Sequence, residues 1–321
     1  MLWWLLGEQF FSLNNFQSMG YQIPEFGFLA LAMAVTMITG GIDLSVVANA
    51  NLSGILAAFI LTRRFDFLAN FSEPTIVVMA CVLALFVASM AGLFNGLLIS
   101  KLSVPPILAT LGTMTLFNGI SMAITSGEGV VGFPEMFLSI GSSAVANIPL
   151  IFILFILASI VVGFMLERTT TGFGVYLYGE NRIAALFAGL RTENLIIRVY
   201  FLSGLLAGFA SIIMISRFNS AKVGYGDTYL LQAILVSVLG GIAPEGGRGR
   251  IVGVVLGIFI LQALQSAFTF FAFTPYAKKL IWGSMLLLVM VINFVIEWWR
   301  ARSRRFVIEQ EPATSSSELL A

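Results

Sequence analysis

The chain contains no histidine in its 321 residues. That removes the commonest general base, metal ligand and pH switch. Cysteine is nearly absent too. Cys81 stands alone in an apolar run, so neither a disulfide framework nor a Cys-x-x-Cys site can form within one chain, and Cys81 reads as a small packing residue. Charged residues make up only 10% of the chain, whereas a soluble domain carries about a quarter. The net charge of +1 offers nothing to nucleic acid. No Gly-x-x-x-x-Gly-Lys-Ser/Thr loop occurs, so the chain lacks the usual means of binding ATP. Residues 1–7 are apolar but too short, and without a basic flank, to be a cleavable signal peptide.

What is abundant is apolar length. Hydrophobic residues make up 59% of the chain and come in runs of about 20, enough to cross a bilayer core of ~30 Å. Runs such as 148–166 and 285–299 do not alternate polar with apolar, as barrel strands do. They read as helices, which satisfy their own backbone hydrogen bonds in lipid. The expected fold class is all-α, a polytopic transmembrane helical bundle with about nine spans: 23–39, 43–62, 75–99, 105–125, 148–166, 196–216, 228–242, 251–273 and 277–299. Residues 1–22 are expected to form a short N-terminal segment that can be the remnant of a first helix, 23–299 the membrane domain with a long loop at 167–194, and 300–321 a polar tail opening with Arg300, Arg302, Arg304 and Arg305. The tail is expected to lack structure beyond about residue 310. The Lys/Arg bias puts the C-terminus in the cytoplasm, with the 167–194 loop, Arg248, Arg250 and Lys101, and puts 126–147 outside. Arg63, Arg64, Arg217, Lys222, Lys278 and Lys279 fall outside against the rule. The N-terminus also falls outside, which an additional preceding helix would resolve.

Three helices carry glycine pairs at small-xxx-small spacing, Gly92/Gly96, Gly204/Gly208 and Gly253/Gly257. These favour close packing within the chain. Gly40-Gly41-Ile42 and Gly240-Gly241-Ile242 each end an apolar run, a faint internal repeat. Asp43 and Ser45 follow the first of these breaks. Asp43 can cap the next helix, bond to a neighbouring helix, or meet a solute. Asn51, Asn95, Thr110, Thr113, Asn118 and Ser121 lie in apolar surroundings. They suit either interhelical hydrogen bonds or a path for an uncharged polar solute. In the long loop, residues 181–189 read as a short helix that Asn181 starts and Gly189 ends. Leu186 and Phe187 make it too apolar for a merely solvated linker. Gly224-Tyr225-Gly226-Asp227 matches the Gly-x-Gly-Asp element of intramembrane aspartyl proteases, but the candidate second acids, Asp43 and Asp66, lack the Tyr-Asp context, and Asp43 lies at the opposite end of its span. A Gly-rich external turn capped by Asp227 is the simpler reading.

Gly40-Gly41-Ile42-Asp43-Leu44-Ser45 resembles the signature of permease subunits of simple-sugar ABC importers, which take up ribose, xylose, arabinose, galactofuranose or autoinducer-type solutes. The resemblance continues through Asn95-Gly96, Lys101 and 105–113, then Gly179-Glu180-Asn181 with Ala184, Ala185 and Gly189, then 203–208, and finally Gly240-Gly241 with Gly246-Gly247-Arg248-Gly249. It covers about residues 10–300. It implies a non-enzymatic subunit of a bacterial inner membrane working by alternating access. It further implies a separate ATPase subunit that binds ATP and Mg, a periplasmic or lipid-anchored solute-binding protein, and a second permease subunit, identical or paralogous. Coupling to the ATPase would fall on Gly179, Glu180, Asn181, Ala184, Ala185, Leu186 and Gly189. Path candidates are Asp43, Ser45, Asn51, Asn95, Thr110, Thr113 and Asn118. Neither metal nor catalytic residue is implied. The chain departs from the family pattern in having Val47 where a glycine is usual, Leu230 and Gln232 where relatives carry acids, and about nine spans instead of ten. The rival reading is an ion-coupled secondary transporter or channel, against which stand helix centres nearly free of charge.

Overall fold

Proline and small polar residues decide where the apolar runs become helices. The computed structural model describes residue 10 and residues 12–309. Among the described residues, nine apolar helices carry the fold: α1 (Leu13–Ile38), α2 (Val46–Leu61), α3 (Glu73–Ser100), α4 (Pro106–Thr125), α6 (Leu150–Arg168), α9 (Thr192–Phe218), α10 (Asp227–Leu239), α11 (Ile251–Phe270) and α12 (Pro275–Glu309). Three shorter helices lie between them: α5 (Glu135–Ser142), α7 (Thr170–Glu180) and α8 (Arg182–Phe187). Seven of the nine are long and apolar enough to cross a bilayer, while α2 and α10 are shorter apolar helices. Pro74, Pro106, Pro149 and Pro275 stand at the starts of α3, α4, α6 and α12, where a missing N–H costs nothing.

Each of the nine expected segments is one of these helices, with shifted ends. The two largest shifts are at the start of α1 and the end of α12; α1 starts at Leu13 and not at 23, so residues 13–22 continue the first span. Ser12 caps it by accepting from the Asn15 backbone N–H. Polar residues of 13–22 have partners on α11: Ser266 donates to Asn15, and Gln262 to Gln22. At the other end, α12 continues through Glu309 into the segment read as tail. Residues 310–321 and 1–9 lie outside the described residues.

α1 is the spine of the bundle. It is buried from Ile23 to Ile38 and packs against α6, α9, α10 and α11. α3 and α9 form the most intimate pair, because Gly92 and Gly204 face each other: a methyl on either would run into the other helix's backbone. Gly253 meets the Gly240 carbonyl in the same manner. The small-xxx-small glycines thus serve packing within the chain.

The helix ends gather at two opposite poles. At one, Val130–Val131 pairs antiparallel with Ser220–Ala221, the Tyr21 hydroxyl donates to Ser142 O, and the Glu73 carboxylate accepts from Met136 N. At the other lie the break after α1, α7, α8 and the α10–α11 loop, with Lys101 paired to Glu193 at 2.7 Å. Arg63 donates to Ala69 O and Phe71 O, and Arg64 stacks over Phe59, which gives both a local structural use.

Candidate functional site

The break after α1 is built by its own side chains. Gly40 ends the helix with a positive φ, and the chain then turns through Gly41-Ile42-Asp43. Asp43 is buried. Its Oδ1 accepts from the Ser45 backbone N–H at 3.1 Å and the Ser45 hydroxyl at 2.7 Å, and its Oδ2 accepts from Ser203 Oγ of α9 at 2.9 Å. Asn95 of α3 donates to Ser45 Oγ at 2.8 Å. Thr110 of α4 donates to Ile42 O at 3.0 Å. One seven-residue turn thereby ties α2, α3, α4 and α9 together. Asp43 combines two of the uses open to it, bracing the turn ahead of α2 and bonding to a neighbouring helix.

Asp43, Ser45, Asn95 and Thr110 therefore come together, joined by two residues the sequence reading did not single out. Ser203 completes the Asp43 shell. The buried Tyr200 hydroxyl presses against Gly41 and has no hydrogen-bond partner among the described residues. Thr113 is buried one turn along α4 and bonds back to Thr110 O, and Asn118 is half-buried further along the same helix. Asn51 lies apart. Its Nδ2 and Ser211 Oγ have no hydrogen-bond partner among the described residues, and both residues line a cavity of about 10 Å3, the size of one water. Asp43 bonds to Ser45 and Ser203, while Asp227 begins α10 beside Gly224, so no shared-proton dyad forms.

A second polar cluster sits deeper along α1. Glu25, buried next to Pro24, forms an ion pair with Arg217 of α9 and accepts from the Tyr229 hydroxyl of α10 at 2.9 Å. A lone carboxylate inside a span is a legible signal. Its partners lie about 200 residues away, beyond any sequence pattern.

The loop at 167–194 is mostly helical. α7 ends at Glu180, and Asn181 caps α8 through Oδ1, which accepts from Ile183 N at 2.9 Å and Ala184 N at 3.0 Å. Gly189, at φ +77°, closes it. Ala185 turns inward and is fully buried, whereas Ile183, Leu186 and Phe187 project outward, Phe187 with 89% of its surface exposed. Gly179 lies against the Ile38 carbonyl and the Gly247 amide, so closely that a methyl would not fit. Gly247 N donates to Ile38 O at 2.8 Å, Arg248 bonds Glu180 at 2.8 Å, and the Tyr176 hydroxyl donates to Gly249 O at 2.9 Å. The end of α7, the end of α1 and the α10–α11 loop form one backbone-to-backbone junction, two residues from the start of α8 and three from Asp43.

Residues 16–290 match the family described as branched-chain amino acid transport system / permease component. The chain is 32% identical over 291 residues to the ribose import permease protein RbsC of Bacillus subtilis (strain 168), covering 90% of this chain and 87% of that one. It is 30% identical over 289 residues to the autoinducer 2 import system permease protein LsrC of Yersinia pestis (strain Pestoides F), covering 90% and 80%. No solved structure matches. A match running from the first apolar helix into the last, on a bundle of this build, makes the chain a member of that permease-component family, a multi-pass transport permease of the ABC-importer kind.

Proposed function

We propose that the chain imports a small, sugar-like solute as one of two permease subunits, identical or paralogous, in a bacterial inner membrane. A separate ATPase subunit binds ATP and Mg and powers it, and a periplasmic or lipid-anchored binding protein delivers the solute to the pole of 126–147. The names of the two relatives support the solute class. The C-terminus and the α7–α8 pole face the cytoplasm, in keeping with the arginines at 300–305.

The observation that carries this reading is the outward face of α8. Ile183, Leu186 and Phe187 present apolar surface on a capped, rigid helix. Exposed aromatic and aliphatic anchors of this kind suit a pocket on a partner. Asn181 and Gly189 define the helix, Ala185 seats it while Ala184 stays exposed, and Gly179-Glu180 join it to the junction. A push on α8 is then delivered to the end of α1 and to the α10–α11 loop without slack, because backbone meets backbone there. The break at Asp43 and Ser45 is the next element in line. Asp43, Ser45, Asn95 and Thr110 hold it in shape, while Asn51, Thr113 and Asn118 offer uncharged hydrogen-bonding groups to a solute.

The test is Phe187→Asp in proteoliposomes containing permease, ATPase and binding protein. Truncating a central aromatic anchor costs at least about 2 kcal/mol of docking, or about 30-fold. Uptake and solute-stimulated ATP hydrolysis should both fall at least tenfold, with the melting temperature of the permease unchanged. Normal uptake would refute the coupling role. The buried Glu25 is the observation that favours an ion-coupled carrier, although Arg217 and Tyr229 already satisfy it. Concentrative uptake that persists with an inactivated ATPase would establish that alternative.

A further inference from the structure

Two cavities of different character meet at the end of α6. The first is a cleft of about 950 Å3, mixed polar and apolar, between the α6–α7 turn and the α10–α11 loop. Arg168, Arg248 and Arg250 line it, and Glu167 is the one carboxylate among the lining residues. Arg248 is shared with Glu180, which leaves Arg168 and Arg250 as the cations directed to this cleft. The start of α11 opens here as well. Arg250 is its N-cap residue, no side chain caps the helix, and Val252 and Gly253 form part of the wall. Gly253 N already donates to Arg250 O, so it is chiefly the arginines that favour an anion here, and a phosphate above all.

The second cavity is an apolar groove of about 390 Å3 between α6 and α11. Ile160, Phe164, Val252 and Leu256 form its exposed walls and Gly163 deepens its floor. Glu167, Arg168 and Val252 line both cavities, so the groove continues from the cleft. At 1.5 Å per residue, α6 carries the groove from Arg168 to Ile156, about 18 Å. That is about half of a hydrocarbon core of ~30 Å.

We propose that this composite site binds an anionic phospholipid, with its phosphate in the cleft against Arg168 and Arg250 and one acyl chain in the groove. The depth of the groove decides the occupant. A soluble partner could cover the cleft but could not follow the groove into hydrocarbon, and a free phosphate would leave the groove unused. A phospholipid matches both parts in the order in which they occur. The bound lipid joins α6 to α11 directly beside the Gly247–Arg248 junction, so its occupancy bears on the element that moves during coupling. Assignment to the inner leaflet rests on the proposed orientation, whereas binding itself does not.

The experiment is native mass spectrometry of the full-length permease, released from detergent in the presence of dioleoyl phosphatidylglycerol, dioleoyl phosphatidylcholine or glycerol phosphate. The wild type should retain phosphatidylglycerol at least about tenfold better than phosphatidylcholine. A basic residue near a membrane surface is worth about fivefold in anionic-lipid binding, so Arg168→Gln with Arg250→Gln should cost about 25-fold. Gly163→Leu leaves the arginines in place and fills the groove. A Cβ at Gly163 makes only ordinary contact with Ile251 at 3.7 Å, so this variant keeps its fold while losing lipid. Equal retention of both lipids by the wild type would overturn the proposal, as would phosphatidylglycerol binding that both variants leave unchanged. Glycerol phosphate binding as tightly as the lipid would make this a free-anion site and would also overturn it. Because the readout is lipid retention and not uptake, this inference and the importer reading can fail separately.

Discussion

Gly179 and Gly189 lie ten residues apart in one loop, and they are glycines for opposite reasons. At Gly179 the backbone is ordinary but there is no space, since Ile38 O and Gly247 N occupy the place of a side chain. At Gly189 the place of a side chain is open, but φ is +77°. The first belongs to a junction where three chain segments are pressed together. The second ends a short helix that touches little and shows its apolar residues to a partner. Within one loop, therefore, the protein places a rigid transmitter beside an exposed receiver. Changes at the transmitter should unfold the protein, and changes at the receiver should disconnect it.

Substitutions at four positions sharpen that contrast. Gly179→Val should have the largest effect. It forces a branched side chain into backbone, and a loss of at least about 3 kcal/mol is expected, read as loss of monodisperse protein. Recovery of stable protein with normal melting would break the comparison. Asp43→Ala should follow, at about 2–4 kcal/mol, because the Ser45 N–H and two buried hydroxyls lose their acceptor. Asp43→Asn keeps an acceptor for Ser45 N, and Ser203 can itself accept, so about 1 kcal/mol is expected in thermal unfolding. At the receiver, Asn181→Ala removes a cap that holds two amides and should cost about 1 kcal/mol. That loss should register as faster hydrogen exchange confined to 182–189, with global melting unmoved. Arg248→Gln should be the mildest, below about 1 kcal/mol, since its ion pair with Glu180 is half-exposed. A large effect there would mean that the pair itself carries the coupling.

How far the sequence could be read differs from element to element. Asn181 and Gly189 were legible as the ends of α8 because caps act within three residues. Asp43 was legible as special because a carboxylate directly after two glycines interrupts an apolar run. Its partner Ser203 was not, for it lies 160 residues away. The start of α1 is hard to read for the same reason. Asn15 and Gln22 look costly in a span until Ser266 and Gln262 of α11 satisfy them. Ala185 shows the limit in miniature. As one residue of a short helix it resembled its neighbours, and only packing sets it inward while Leu186 and Phe187 face out.

The sequence by itself determined that this protein lives in lipid, where its nine apolar helices lie, and which two segments interrupt them. Those properties depend on composition and on interactions within a turn or two. The tertiary structure alone decided that the two segments meet, with Gly40 and Gly179 both against the α10–α11 loop and Asp43 bonded across to Ser203. Contacts between residues so far apart depend on how whole helices pack, and in an apolar chain many packings satisfy the same hydrophobic pattern. Close glycine approaches and a few buried hydrogen bonds select one of them.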